Sequence, residues 1–276
     1  MSRFSLSSIS RCRWNILDLI NIVGRDAVPT YIFADVDVSL LERLRGQYAK
    51  HGRTIPLTAL LIKAISIAQR SHPESRAFGL PFGKRGNPTE VVAGFTVERL
   101  VGDAANPAVF VGAIEDADHK PVEEISSELT LYEKADMGDI CLLRQQQQFS
   151  NMPWLLRQLC LWFGVRSAKT RANRLRPTFM LSCVGKFGSK LLIPPSITTS
   201  AFGVGCVEER AVVKEGKVEI RPMLSLALNF DHSVIDGAPA ARFLKDVCDL
   251  IETGIARYVP ELVDEPSEAV STLAPV

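Results

Sequence analysis

The sequence lacks the features that mark several large protein classes. Its 32 basic and 31 acidic residues nearly cancel, which excludes the strongly basic domain typical of nucleic-acid binding. No stretch approaches the ~18 consecutive apolar residues of a membrane span. The N-terminal segment also lacks the unbroken apolar run of a secretory signal peptide. With 276 residues, of which 46% are hydrophobic, the chain is typical of a globular protein with a sizeable core.

Cysteine is sparse and scattered. The six cysteines are Cys12, Cys141, Cys160, Cys183, Cys206 and Cys248, and no two of them form a CxxC pair. A zinc site needs clustered ligands and a disulfide scaffold needs a denser set. We therefore expect no metal site, and we expect reduced, mostly buried thiols in a cytoplasmic protein.

Glycine is also missing from the places where a dinucleotide-binding fold needs it. The only Gly-x-Gly is Gly203-Val204-Gly205, which lies in an apolar run and has no third glycine after it. Close approach of another backbone segment explains this pair better than a phosphate-binding loop.

Hydrophobic periodicity predicts one α/β domain of mixed strands and helices. Alternating or apolar runs predict strands at 30–38, 91–97, 108–114, 178–185, 201–207 and 223–230. Helical stripes cover 39–50 and 56–70, and another helix is opened by Pro121. A hairpin is predicted with Glu215-Gly216 at its tip.

The segment 140–177 has a different character. It reads as two amphipathic helices followed by a basic loop. Residues 151–177 contain no acid and carry the basic residues Arg157, Arg166, Lys169, Arg171, Arg174 and Arg176. Its large apolar residues are Trp154, Leu155, Leu156, Leu159, Trp162 and Phe163.

The residues best suited to chemistry follow the last apolar run, in Asp231-His232-Ser233-Val234-Ile235-Asp236-Gly237. A histidine at a strand exit can titrate near neutrality, which makes His232 a candidate general base for a thiol. Asp236 and Gly237 supply a tight turn and a cap for the next helix. Alternatively, His232 is an ordinary turn histidine. A metal-binding pair with Asp236 would lack a third histidine or cysteine nearby in the sequence.

This segment resembles the HxxxDG motif of chloramphenicol acetyltransferases and dihydrolipoamide acyltransferases, and it is closer to the latter because Asp231 precedes the histidine. Four further blocks resemble that superfamily in the same order: VPTYIFADVDVSLLERLRGQ, IPLTALLIKAISIAQRSHPES, AVFVGAIEDADHKPVEEIS and PTFMLSCVGKFGSKLLIPPSITTSAFGVGCV. The resemblance implies a chloramphenicol acetyltransferase-like α/β fold, in which a mixed sheet is flanked by helices and the chains form trimers.

The resemblance also implies roles for three residues. His232 takes the proton from the attacking thiol. Ser182 donates a hydrogen bond to the tetrahedral oxyanion, with the active site between subunits of a homotrimer. Asp236 is structural and pairs with an N-terminal arginine, for which Arg11 and Arg13 are the candidates. Cys183 is adjacent to Ser182, but strand alternation points it the other way, into the core.

The implied activity is acyl transfer between coenzyme A, as a substrate, and a thiol carrier such as a lipoyl or pantetheine arm. An N- or O-acyltransferase acting on a small molecule would use the same histidine. A non-catalytic trimeric scaffold is the third possibility, although a scaffold needs neither Ser182 nor His232.

The predicted boundaries are an N-terminal tail at 1–10, a catalytic domain at 11–255 and a flexible C-terminal tail at 256–276. We expect no covalently bound lipoyl group on this chain, so that a lipoyl domain or an acyl carrier protein would act in trans. The last residues do not resemble the apolar anchor of cubic cores, which predicts a trimer without a cubic shell.

The segment 140–177 is longer than the corresponding connection of the family, and four roles are open for it. It could pack on the domain as a lid or shape an unusual acyl pocket. Its arginines could dock an acidic acyl carrier protein. Residues 151–177 could also lie on an anionic membrane surface.

Overall fold

A computed structural model describes residues 11–100 and 107–260. Within this part, the strands form a six-stranded sheet in the order β1-β8-β7-β6-β4-β5 and a separate hairpin of β2 and β3. The strands are β1 (Pro29–Asp37), β2 (Phe78–Leu80), β3 (Lys84–Gly86), β4 (Val92–Leu100), β5 (Pro107–Glu115), β6 (Phe179–Cys183), β7 (Ser200–Lys214) and β8 (Lys217–Asp231). The predicted tail at 1–10 lies outside the described residues.

Eight α-helices accompany the sheet in this part of the chain. They are α1 (Arg11–Ile22), α2 (Ser39–Lys50), α3 (Leu57–Ser71), α4 (Val122–Lys134), α5 (Cys141–Asn151), α6 (Trp154–Arg166), α7 (Ala168–Arg174) and α8 (Gly237–Glu252). Helices α2, α3, α4 and α8 pack together and against the sheet, whereas α1 and α5 pack beside β5. The predicted mixed sheet flanked by helices is therefore confirmed.

The sheet is mixed because β6 runs parallel to both of its neighbours. It pairs with β4 on one side and with β7 on the other, while the remaining neighbours are antiparallel. The predicted hairpin joins β7 to β8, and both residues at its tip have positive φ, 51° at Glu215 and 79° at Gly216. This conformation is the two-residue turn that matches the twist of the flanking strands.

The core lies between the sheet and the four-helix layer. Helix α3 is its centre, with eleven buried residues, as its nearly uninterrupted apolar sequence predicts. The largest fully buried side chains include Tyr48, Phe110, Phe179, Phe202 and Phe243.

Gly203 and Gly205 on β7 lie directly beneath the segment that crosses the sheet after β6. A Cβ atom at Gly203 would lie 1.8 Å from the carbonyl oxygen of Leu192, and one at Gly205 would lie 1.9 Å from that of Lys190. No L side chain fits at such distances. The interpretation of this pair as a site of close backbone packing is confirmed.

Replacing Gly203 with alanine should therefore destabilise the protein by about 3 kcal/mol, because backbone rather than a flexible side chain must move. The measurement is the urea midpoint at constant m-value. Gly138→Ala is the matched control, since nothing lies within 4 Å of its added Cβ. Equal midpoints for the two variants would contradict the packing argument.

The segment 140–177 forms three helices rather than two helices and a loop. The stretch predicted as a basic loop contains α7, whose N-cap Ser167 accepts a hydrogen bond from the backbone N–H of Thr170 at 3.4 Å. The capping serine thus starts a helix in a stretch without an apolar stripe.

The C-terminal boundary also differs from the prediction. Residues after 255 were expected to be flexible, but Val259 is fully buried. Its N–H donates to the carbonyl oxygen of Ile255, which is buried as well. This pair, four residues apart, keeps the chain packed against the core beyond the predicted boundary. No helix among the described residues combines the length and apolarity needed to cross a bilayer.

Candidate active site

The loop that follows β8 holds His232 in a fixed backbone position. The backbone N–H of His232 donates to the carbonyl oxygen of Val28 at 2.8 Å. The Asp231 carboxylate accepts hydrogen bonds from the N–H of Val28 and from both the N–H and the hydroxyl of Ser233. Arg85 of the β2–β3 hairpin adds a bond of 2.6 Å to the carbonyl oxygen of Val234. The turn is thus tied to the segment that leads into β1 and to the hairpin.

The imidazole of His232 is presented at the surface of the single chain. Its side chain is 43% exposed, and its ring lies tilted against Phe230 with 5.6 Å between the ring centroids. The nearest carboxylate is that of Asp236, 3.9 Å from Nδ1, which is longer than a hydrogen bond. The backbone of this histidine is therefore fixed, while its side chain is partly exposed.

Asp236 occupies the position predicted for it but does not make the predicted contacts. It is the N-cap residue of α8, yet its side chain accepts no capping hydrogen bond. It is strongly exposed, and among the described side chains it forms no ion pair with Arg13. The side chain of Arg11 lies outside the described residues. Among the described residues, the ion-pairing group recorded near this carboxylate is the imidazole of His232.

Ser182 lies on the open face of the sheet. Its hydroxyl is 3.0 Å from that of Thr96, which is its neighbour on the parallel strand β4. Cys183 points to the opposite face, where it packs against the core and lies 3.8 Å from the Thr58 hydroxyl. Burial raises the pKa of the Cys183 thiol to about 11, so the thiol stays protonated at neutral pH. The interpretation of Cys183 as a core residue is confirmed.

Ser182 and His232 do not meet within one chain. Ser182 is in register with Gly203, which is in register with Ala227, and His232 comes five residues after Ala227. At about 3.3 Å per residue and about 4.8 Å per strand, the two side chains lie roughly 15–20 Å apart. A site that uses both must therefore combine two copies of the chain.

Asp116, Asp118 and His119 form the one cluster of three possible metal ligands found among the described residues, with ligand atoms within 4.8 Å of one another. It lies in the turn before α4, and it is not part of the His232 loop. Arg70 is 3.4 Å and His119 is 3.1 Å from the same carboxylate oxygen of Asp118, so this oxygen is already paired. The cluster is better explained as an ion-paired turn than as a cation site.

Two residues shape this arrangement in ways that the sequence did not predict. Thr96 comes 86 residues before Ser182, and only the parallel pairing of β4 with β6 brings them together. Asp231 was noted for its place in the motif and not for organising the loop. A local signal was present, because Asp followed two residues later by Ser favours the side-chain-to-backbone turn seen here.

The fold is that of the catalytic cores of 2-oxoacid dehydrogenase complexes. The cubic core of the pyruvate dehydrogenase multienzyme complex superposes with a TM-score of 0.68 at 22% identity, covering 93% of this chain and 95% of that chain. The dihydrolipoamide acetyltransferase of Azotobacter vinelandii superposes with a TM-score of 0.69 at 23% identity and the same coverage.

Sequence comparison finds similarity to the same class of proteins. Residues 165–257 match the family model described as 2-oxoacid dehydrogenases acyltransferase (catalytic domain). The succinyltransferase component of the 2-oxoglutarate dehydrogenase complex of Rickettsia felis is 46% identical over 98 residues. The corresponding component of Bartonella vinsonii subsp. berkhoffii is 24% identical over 252 residues, which is 88% of this chain. The chain is thus similar to this family, and it spans 24% and 53% of the lengths of these two relatives.

Proposed function

We propose that the chain is an acyltransferase that moves an acyl group between coenzyme A and a thiol carrier, a lipoyl or pantetheine arm. The observation that carries this proposal is the exposed imidazole of His232, held on a loop that is fixed through Asp231, Val28 and Arg85. A surface histidine without a role needs no such support from two other parts of the fold.

The chemistry follows from the two side chains. His232 accepts the proton of the attacking thiol, and the sulfur forms a bond to the carbonyl carbon of the thioester. The carbonyl oxygen becomes an oxyanion that accepts a hydrogen bond from Ser182, whose hydroxyl is oriented by Thr96. The C–S bond of the donor then breaks, and the imidazolium returns its proton to the leaving thiolate.

The relatives support these assignments. The Azotobacter vinelandii work concerns the role of a serine, a histidine and an asparagine in catalysis, and its histidine and asparagine are four positions apart. His232 and Asp236 have the same spacing in this chain. The succinyltransferase relatives make succinyl-coenzyme A one of the donors to try first.

The proposal requires a homotrimer, or another assembly that brings Ser182 of one chain to His232 of the next. The open face of the sheet supports such an assembly, because it presents the apolar side chains of Tyr31 and Phe33, which are exposed in the single chain. The imidazole of His232 can accept the proton of the thiol without a metal ion, so we propose no metal site. We also propose that no lipoyl group is covalently bound to this chain. The proposed location of the protein is the cytoplasm.

The test is thioester exchange with a panel of acyl-coenzyme A donors and dihydrolipoamide or pantetheine as acceptor. Ser182→Ala should lower kcat by about 10²–10³ with little change in KM, because the lost hydrogen bond forms only in the transition state. The assay follows the release of free coenzyme A.

Ser127→Ala is the matched control, because Ser127 is an exposed serine on α4 that bonds only its own helix. Wild-type protein that transfers no acyl group from any donor in the panel would remove the proposal. Equal kcat values for Ser182→Ala and wild type would remove Ser182 from it.

A further inference from the structure

Helix α6 exposes an apolar surface of a kind that a folded protein seldom leaves uncovered. Leu155 and Phe163 are 63% and 62% exposed, and Trp154, Leu156, Leu159 and Trp162 are exposed as well. All except Trp154, at the first position of the helix, share one broad face, on which the only charged residue is Arg166 at its C-terminal end. We call this face together with helix α7 the α6–α7 surface.

The surface is held rigidly on the body of the protein. Arg157, the buried residue of α6, donates to the Asp18 carboxylate of α1 at 2.8 Å and to the carbonyl oxygens of Ser150 and Met152. Arg171 of α7 donates to the carbonyl oxygen of Gly79 and lies 4.8 Å from the centroid of the Phe78 ring. Both helices of the surface are thus anchored to the domain while the apolar face stays exposed. This argues against a loose lid that closes on the domain.

Charge is strongly segregated around this surface. The segment 140–177 holds seven of the 32 basic residues and none of the 31 acidic ones, so the rest of the chain is net negative. Two of the seven are neutralised, Arg157 by Asp18 and Arg176 by Glu115. The other five have no carboxylate within 4.0 Å among the described residues: Arg144, Arg166, Lys169, Arg171 and Arg174.

We propose that the α6–α7 surface binds the surface of an anionic lipid bilayer. Indole and phenyl rings favour the boundary between headgroups and acyl chains, and a basic helix beside them complements anionic headgroups. Arg166 lies 4.1 Å from the Trp162 ring centroid, which places a cation and an indole at the same depth. The helix lies on the bilayer and does not cross it.

A second copy of the chain that presents its own α6–α7 surface fits less well. Two identical surfaces that meet face to face would bring both sets of unpaired cations into one interface, where like charges destabilise the contact. An acidic protein partner would satisfy the cations, but it would also have to supply a large apolar surface opposite the two tryptophans.

The test is co-sedimentation of the intact protein with vesicles made of equal parts phosphatidylcholine and phosphatidylglycerol, compared with pure phosphatidylcholine. We expect binding to the anionic vesicles that weakens as salt is added. Leu155→Asp should weaken this binding by about tenfold or more, and so should Lys169→Glu combined with Arg174→Glu. Aspartate is favourable in the first turn of a helix, so Leu155→Asp should leave folding intact.

Two variants outside the surface serve as matched controls. Phe82→Asp removes a phenyl ring that is 99% exposed, and Lys217→Glu reverses a charge at the β7–β8 turn. Both should bind vesicles like wild type. The proposal is overturned if wild-type protein stays in solution with every vesicle, or if Leu155→Asp binds as tightly as wild type. A changed sedimentation coefficient of Leu155→Asp without vesicle binding would instead assign the surface to contacts between copies.

Discussion

Replacing His232 with alanine should lower kcat/KM for acyl transfer by about 10³, because general-base catalysis typically contributes 10²–10⁴. The loop should survive the change, since its hydrogen bonds use the backbone of residue 232 and the side chains of Asp231 and Arg85. The measurement is the same thioester-exchange assay, with His51→Ala as the control. His51 follows α2 and its Nδ1 lies 3.0 Å from the carbonyl oxygen of Gln47.

Mixing two inactive variants tests whether His232 and Ser182 act from different chains. Ser182 and His232 come from different chains in the proposed site, so unfolding and refolding His232→Ala and Ser182→Ala together should create intact sites. Random mixing in equal amounts should restore about one quarter of the wild-type activity, since each site draws its two residues independently. Recovery that stays at the level of the separate variants would contradict a site built between chains.

The second large effect concerns stability. The side chains of Arg157 and Asp18 are 5% and 2% exposed, and Gln158 donates a further hydrogen bond to the Asp18 carboxylate. Arg157→Leu leaves that carboxylate buried without its cation, so the free energy of unfolding should fall by about 3–5 kcal/mol. Urea unfolding measures this change, and hydrogen exchange shows whether α5 and α6 detach from α1 before the rest unfolds.

A double variant separates the lost charge from the lost packing. Asp18→Leu combined with Arg157→Leu removes both charges and should recover most of the stability, because a buried ion pair is often replaced by apolar groups at little cost. If Arg157→Leu alone unfolds at the wild-type urea concentration, the pair does not anchor α6.

The sequence predicted those parts of the fold that depend on local patterns. Helix α2 begins and ends at the predicted residues 39 and 50, because its apolar residues recur at helical spacing. The tip of the β7–β8 hairpin was found because Glu-Gly fits a turn with two positive φ angles. Helix α7 was missed because it has no buried face, and only its capping serine marks its start.

Such local patterns did not predict contacts between residues that are far apart in the sequence. The sequence shows Arg157 only as one of the basic residues of 151–177, and the fold shows that it meets Asp18, 139 residues away. In the same way, the role of Ser182 was implied by the family resemblance, but its hydroxyl neighbour Thr96 was not predicted. Asp236 occupies the predicted N-cap position of α8, but its side chain makes no capping hydrogen bond and its carboxylate lies 3.9 Å from the His232 Nδ1.

The bonds that join Val28 to the loop after β8 have a mechanical consequence. The N–H of Val28 donates to the Asp231 carboxylate, and the carbonyl oxygen of Val28 accepts from the N–H of His232. One residue ahead of β1 therefore holds both Asp231 and His232 in place. Any motion of the connection between α1 and β1 should therefore also move the imidazole of His232. That connection is distant in sequence from the reacting groups, yet its rigidity sets how well the position of His232 is fixed.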